Sequence, residues 1–368
     1  MRNMSTVVLS RVVLTVSISV FFLFFSACTF GQNINDPALG CNSFALDFFK
    51  AISAKDKGNL FFSPESIHSA MAMVFEGAGG ETANQMGKVL HFSVAENGRL
   101  SQRFLNYLNE LRTTTLSPEI ADGVELTVAN AIWAMDDFNF NGDYLDSIKK
   151  IFESEVNLVN FADSAAATEK INNWVADKTR QKIKDLIPQG LLSKAIKLIL
   201  TNAIYFKGKW ASQFSENATM EEPFFPNSSE KIQVKMMRQI KEFSYMETPD
   251  FQGLRLPYKG NGVSMLIFLP TNKEGLSEFE KNLSVENFEN WLHLFKKHKV
   301  NLHFPKFKQE SNFSLTSFFK ELGLSAPFDS GLADFSGMVS DTKPLFISEI
   351  LHKAFVAVDE EGTEAVAA

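Results

Sequence analysis

Strand-like and helical signals alternate along almost the whole chain with no linker to divide them, and this alternation most constrains the fold. Runs at 126–133, 198–206, 263–269, 300–304 and 351–358 have the apolar, β-branched and aromatic make-up of strands. Helical periodicity fills the gaps. From about Asn42 onward, Phe44, Phe48 and Ile52 share a face with Ala45 and Phe49. Ser63-Pro64-Glu65 reads as a helix start, with a Ser to cap it, Pro in the first turn and an acid at the positive end. The periodicity continues through 67–75 and stops at Gly77-Ala78-Gly79-Gly80. Further helical stretches fall at 143–152, 169–179 and 315–322. Repeats, low-complexity tracts and Pro/Gly-rich interdomain linkers are absent from the sequence. The expectation is one α+β domain of helices packed on sheets.

Composition agrees with a large core: 45% of the 368 residues are hydrophobic and 21% charged. The balance is acidic, 36 basic against 43 acidic residues, net −7. Residues 1–27 hold Arg2 and Arg11 and no acid, so a processed chain would carry 34 − 43 = −9. Nucleic acid is thereby set aside as a partner, because phosphate binding needs a basic face. The run Lys296-Lys297-His298-Lys299 is short and reads as a solvated face.

The first 27 residues read as an export signal: arginines, an apolar stretch over 12–25, then Ser26 and Ala27. That stretch is too short for a comfortable transmembrane helix. Phe25-Ser26-Ala27-Cys28 also fits a bacterial lipobox, which would make Cys28 a lipidation site and a membrane anchor. Ordinary cleavage further on, for example after Gly31, is the other reading. Either way the protein is expected outside the cytoplasm. Residues 28–41 are expected as a short linker and 42–368 as the folded domain. Cys28 and Cys41 are the only cysteines, so loss or lipidation of Cys28 leaves no disulfide, and the core alone must hold the fold. Asn-X-Ser/Thr sequons stand at Asn217, Asn227, Asn282 and Asn312.

The last stretch, Val358-Asp359-Glu360-Glu361-Gly362-Thr363-Glu364-Ala365-Val366-Ala367-Ala368, has an unusual pattern. The acids Asp359, Glu360 and Glu361 precede Gly362, which tolerates backbone angles that other residues resist, so a bend is expected there. Beyond it, Thr363, Ala365 and Ala367 alternate with Glu364, Val366 and Ala368. In a strand this places small side chains on one face and the carboxylate and Val366 on the other. Such a strand can slide between two others without meeting bulk.

Catalytic patterns do not emerge. HExxH, a P-loop, GxSxG and clustered Cys/His at metal spacing are all missing from the sequence, and the six histidines are scattered. Ser147-Ile148-Lys149-Lys150 and Ser317-Phe318-Phe319-Lys320 fit Ser-x-x-Lys, but no Lys-Thr-Gly companion exists. No enzyme, metal or cofactor is expected.

Several long motifs, in order, resemble the serpins, trapping inhibitors of serine proteases. Asn59-Leu60-Phe61-Phe62-Ser63-Pro64-Glu65-Ser66-Ile67 is similar to their strand-to-helix entry, and Phe75-Glu76-Gly77-Ala78-Gly79-Gly80-Glu81-Thr82 to the turn that follows. Leu200-Thr201-Asn202-Ala203-Ile204-Tyr205-Phe206-Lys207-Gly208-Lys209-Trp210 and His352-Lys353-Ala354-Phe355-Val356 complete the set. The resemblance implies three β-sheets ringed by about nine helices. It also makes Glu360 to Ala368 the start of the reactive-loop hinge. It assigns Ser63, Ser66, Asn202 and His352 to a polar cluster, the shutter, beneath the main sheet. The residue reading gives Ser63 a cap role at least as large. Trp210, Lys306 and Glu360 fall to the breach, where insertion begins, and a Lys306–Glu360 pair, if exposed, would contribute about 0–1 kcal/mol. The implied function is inhibition of a serine or cysteine protease by loop cleavage and insertion, in a monomer without cofactors. The alternatives are a non-inhibitory serpin and a truncated module that accepts an exogenous strand. The family's scissile bond and last strands have no counterpart up to Ala368, so the chain is expected to end within the loop, with inhibition belonging to the complete gene product.

Overall fold

The computed structural model describes residues 36–56, 58–115, 123–181, 183–226, 229–260 and 262–367. The export signal, Cys28, the Asn227 sequon and Ala368 lie outside them. The first helix, α1 (Pro37–Lys55), begins within the stretch expected as linker. Asp36 accepts the Ala38 N–H at 3.0 Å and Pro37 occupies the first turn, so the start signal is local and complete. Pro37 and Cys41 are buried on the face it shares with Phe44, Phe48 and Ile52.

Eight more α-helices follow among the described residues: α2 (Pro64–Phe75), α3 (Gly80–Val89), α4 (Gln102–Thr115), α5 (Gly142–Phe152), α6 (Ser164–Lys178), α7 (Leu276–Lys281), α8 (Val285–Leu292) and α9 (Thr316–Glu321). The strands are β1 (Val124–Met135), β2 (Val156–Val159), β3 (Leu198–Lys209), β4 (Met220–Phe224), β5 (Ile232–Glu247), β6 (Phe251–Pro257), β7 (Ser264–Pro270), β8 (Lys296–Pro305), β9 (Phe307–Ser314), β10 (Ile347–Val358) and β11 (Gly362–Ala367). All five expected strands form. The short β2 and β4, the polar β5, and β6 carry weaker signals, because their burial does not alternate cleanly, and β9 alternates but is too polar to stand out.

Hydrogen bonding joins the strands into two sheets among the described residues, not the three expected. The first runs β2-β1-β3-β11-β10-β9, and the second β4-β5-β6-β7 with β8 also on β5. Two sheets become one because β5 is 16 residues long: its start pairs with β4, its middle with β8 and its end with β6. Two cores result. The larger lies among the helices and the lower part of the first sheet, with Leu198, Ile199, Leu200, Ile347 and Ile350 in it. The smaller lies between the two sheets and holds Phe206, Trp210, Tyr258, Phe304, Ala354, Val356 and Val358. Strands β3 and β10 therefore cross from one core to the other, and the candidate site lies along them.

Candidate functional site: the seam between two central strands

β3 and β10 pair directly, in parallel, only along their first halves, from Ile347 opposite Leu198 to His352 opposite Asn202. Beyond that point the seam opens and β11 fills it. β11 runs antiparallel to both neighbours, with Gly362 opposite Lys209 and Ala367 opposite Ile204 on β3, and Thr363 opposite Val358 and Ala367 opposite Ala354 on β10. Both edges of β11 are thus paired, which satisfies its backbone groups. Thr363 is buried, as its place on the small-residue face predicts. For Ala365, Val366 and Ala367 the structure gives backbone pairing alone.

A tight turn leads into β11. Asp359 Oδ1 accepts the N–H groups of Glu361 (3.0 Å) and Gly362 (3.1 Å), and Asp359 N–H donates to Gly362 O (3.0 Å). The bend is therefore an Asp-capped turn, and its position corrects the expectation of a glycine pivot. Gly362 does not take a left-handed conformation. It is a glycine because of a close approach: a Cβ there would lie 1.9 Å from Gly208 O and 2.9 Å from Lys209 Cα.

At the open end, the three residues expected together do meet. Trp210 donates its indole N–H to Asp359 O (2.9 Å) and its backbone N–H to Glu361 O (2.9 Å), and Phe214 N–H donates to Glu360 O (3.0 Å). Lys306 Nζ donates to Glu360 Oε2 at 2.5 Å, and Thr219 Oγ to Glu360 Oε1 at 2.7 Å. The Glu360 carboxylate is buried, so the surface-pair reading does not apply. Burial alone would raise its pKa. The hydrogen bonds from Lys306 and Thr219 outweigh that and hold it below the usual carboxylate range. Glu361 is exposed.

At the closed end, the expected polar cluster is assembled around the last direct β3–β10 pair. Asn202 donates one amide hydrogen to Ser66 Oγ on α2 (2.5 Å) and the other to Asn130 Oδ1 on β1 (2.8 Å). Its carbonyl accepts from His352 Nδ1 (3.1 Å), and His352 Nε2 accepts the Ser63 N–H (3.2 Å). These roles assign the neutral Nδ1–H tautomer, in which both ring nitrogens are satisfied. His352 is fully buried, and that burial pulls its pKa down to about 3. Ser63 stands at the cap position of α2, but its side chain makes no cap bond. Its contribution here is the backbone N–H, because the buried His352 ring comes to lie within reach of it.

Sequence reasoning missed four participants. Asn130 is a polar residue in the mostly apolar β1, directly opposite Asn202. Gly208 lies inside a quoted motif, but its use depends on register. Thr219 and Tyr258 carry no local signal. The Ser-x-x-Lys lysines are engaged elsewhere: Lys150 pairs with Asp146 at 3.6 Å and Lys320 lies over the Phe328 ring at 5.8 Å. Among the described residues, no group of His, Cys, Asp and Glu could hold a metal ion, and no helix is long and apolar enough to cross a membrane.

A small-residue strand held between two parallel neighbours, with a buried polar cluster at the fork, defines a sheet built to admit a strand. Residues 39–368 match the family model described as Serpin (serine protease inhibitor), and the chain belongs to the serpin family. It is 40% identical to the leukocyte elastase inhibitor of Xenopus laevis over 89% of this chain and 87% of that protein. Human Serpin B3 is 38% identical over 88% of this chain and 86% of its own length. Among solved structures, emu ovalbumin superposes with a TM-score of 0.85 at 30% identity, covering 90% of this chain and 88% of that one. Cleaved Serpin 42Da gives 0.83 at 34% identity, covering 91% and 89%. The protein is a member of a protease-inhibitor family, not an enzyme.

Proposed function

We propose that this protein inhibits a serine protease by reactive-loop cleavage followed by insertion of the loop into the first sheet. The observation that carries this reading is β11 itself, paired on both edges between β3 and β10. On this reading the segment from Glu360 through Glu361, Gly362, Thr363, Glu364, Ala365, Val366 and Ala367 is the hinge. Trp210, Lys306 and Glu360 hold its entrance. Ser63, Ser66, Asn202 and His352 close the seam ahead of it and re-form after it passes. Extending β11 to a strand of a dozen or so residues adds ladder bonds worth ~1 kcal/mol each, on the order of 10 kcal/mol before packing. That makes insertion one-way. A protease still bound to the loop as an acyl-enzyme is carried along and distorted.

The test is incubation of the full-length product with elastase-like, trypsin-like and chymotrypsin-like proteases, read as a denaturant-resistant covalent complex. Cleavage of the loop by every protease tried, with no complex, would instead select the non-inhibitory reading. The reading extends to location, with residues 1–27 as an export signal and Cys28 as a lipid anchor. Mass analysis of the mature N-terminus checks both: added lipid mass that Cys28→Ser removes supports the anchor, and an unprocessed Met1 overturns the signal.

A further inference from the structure

Tyr258 lies just past the end of β6, on the second sheet, yet its side chain reaches the open seam of the first. Its N–H donates to Val263 O (3.0 Å) and the Lys259 N–H to Lys209 O (2.8 Å), which fixes this turn against the end of β3. The ring stacks on Trp210 at 4.7 Å between centroids and 13° between planes, and meets Phe206 at 5.1 Å in an edge contact. It also fills the space that Gly208 leaves, since a Cβ at 208 would lie 2.6 Å from Tyr258 Cδ1. None of these contacts involves residues 362–367. The ring is therefore held in place whether or not a strand occupies the seam, and its hydroxyl stands ready beside it.

The group it meets is Thr363. The Tyr258 hydroxyl donates to Thr363 Oγ at 2.9 Å, with both residues buried. Thr363 is the residue that register sets opposite Gly208. A slip of one residue would bring Gly362 or Glu364 to that position and turn the other face inward. A slip of two would bring Ala365, which has no side-chain acceptor, or the charged Glu361. In each case the buried Tyr258 hydroxyl loses the partner it has here, a costly loss for a buried donor.

We propose that Tyr258 is a positioning residue for strand insertion: its hydroxyl receives Thr363 and fixes the register at which the hinge enters the sheet. This rests on the insertion reading above and adds the group that selects the register. The test is hydrogen–deuterium exchange of this chain as wild type, Tyr258→Phe, Thr363→Val and the double variant, read over residues 362–367 with β1 as control. Phe keeps the ring and its packing, so only the hydroxyl is removed. Each single change is expected to speed exchange at 362–367 by about tenfold. The double is expected to go no further, because both changes remove one shared bond. Thr363→Ser should stay near wild type, and β1 should not change. Wild-type exchange in Tyr258→Phe, multiplying effects in the double, or equal acceleration in β1 would each overturn the proposal. A full-length product that forms no protease complex, while exchange remains coupled to Tyr258, would sink the inhibitory reading and leave the register role standing.

Discussion

The two halves of the β3–β10 seam are built from the same strands but held by different physics. The lower half is closed by direct pairing of Leu198–Asn202 residues with β10, backed by buried Leu and Ile side chains of the helical core. The upper half is open to β11. It is lined by two small residues in close approach, Gly208 and Gly362, by aromatic rings, and by one half-buried ion pair. Between the halves lies the hydrogen-bonded group of Asn202, His352, Ser66 and Asn130, at the border of the two cores. Apolar pairing alone would resist separation and then gain nothing specific from it. A polar junction breaks at one defined place and re-forms with defined geometry. The contrast separates contacts that exist only with the strand seated from contacts that hold the sheet regardless.

The largest expected effect tests that separation with two glycines. Gly362→Ala places a methyl 1.9 Å from Gly208 O, a backbone atom that cannot rotate away. The clash exists only when β11 is seated, so the seated state should lose about 3 kcal/mol or more while the rest of the fold is spared. Gly208→Ala instead drives a methyl into Tyr258 and Phe206, both buried and present with or without the strand. It should therefore lower the denaturation midpoint of the whole domain. Equal loss of global stability in the two variants would show that seated and unseated contacts are not separable.

His352 comes next, at the junction. His352→Ala leaves the buried Asn202 carbonyl and the Ser63 N–H without their partner, for a loss of about 2–4 kcal/mol, measurable by urea unfolding. The same residue predicts a pH dependence. Its pKa is about 3 in the folded protein against an ordinary 6.5, because burial disfavours the imidazolium. The unfolded chain binds the proton first. The contribution is therefore complete above about pH 6.5 and is lost as pH falls toward 3, at up to about 1.4 kcal/mol per pH unit. Buried Glu65, with a raised pKa, acts in the opposite sense over part of this range. The difference in slope between wild type and His352→Ala removes it. An unchanged slope in the variant would mean that His352 is not the group responsible.

Much of this was legible in the sequence, but unevenly. The strands carrying the seam, 198–206 and 351–358, announce themselves by apolar β-branched runs, and the small-residue pattern from Thr363 marks a strand that can intercalate. Trp210, Lys306 and Glu360, and the four residues of the polar cluster, were reachable through motif resemblance, and the fold does bring each set together. What stayed hidden depends on register. Asn130 matters because it stands opposite Asn202, and Tyr258 because a turn of the second sheet is fastened to the end of the first. At Gly362 the sequence points to the wrong property: conformational freedom is a local trait that sequence suggests, whereas close approach to Gly208 appears only once two strands are side by side. Ser63 is similar. Its place ahead of Pro64 reads as a cap, but the fold uses its N–H to hold an imidazole brought from almost the far end of the chain.

The smallest expected effect belongs to the Lys306–Glu360 pair at the open end. The lysine is about one third exposed and the carboxylate is buried, so the pair lies between a screened surface contact and an interior one. Thr219 still donates to the carboxylate when the lysine is removed, which limits the damage. Lys306→Ala should therefore destabilise the seated hairpin by about 1–2 kcal/mol, more than an exposed pair and less than a sealed one. Glu360→Gln should cost less, because the amide oxygen can still accept and the one charge left without a counter-charge, the Lys306 ammonium, is partly exposed to water. Exchange of the 359–363 amides as a function of salt checks both. A salt-sensitive loss in wild type that vanishes in either variant assigns the effect to the pair. If Glu360→Gln proved as damaging as Lys306→Ala, the upper seam would depend on the ionic charge itself, and the contrast drawn between the two halves would narrow to a difference in which buried polar group each one uses.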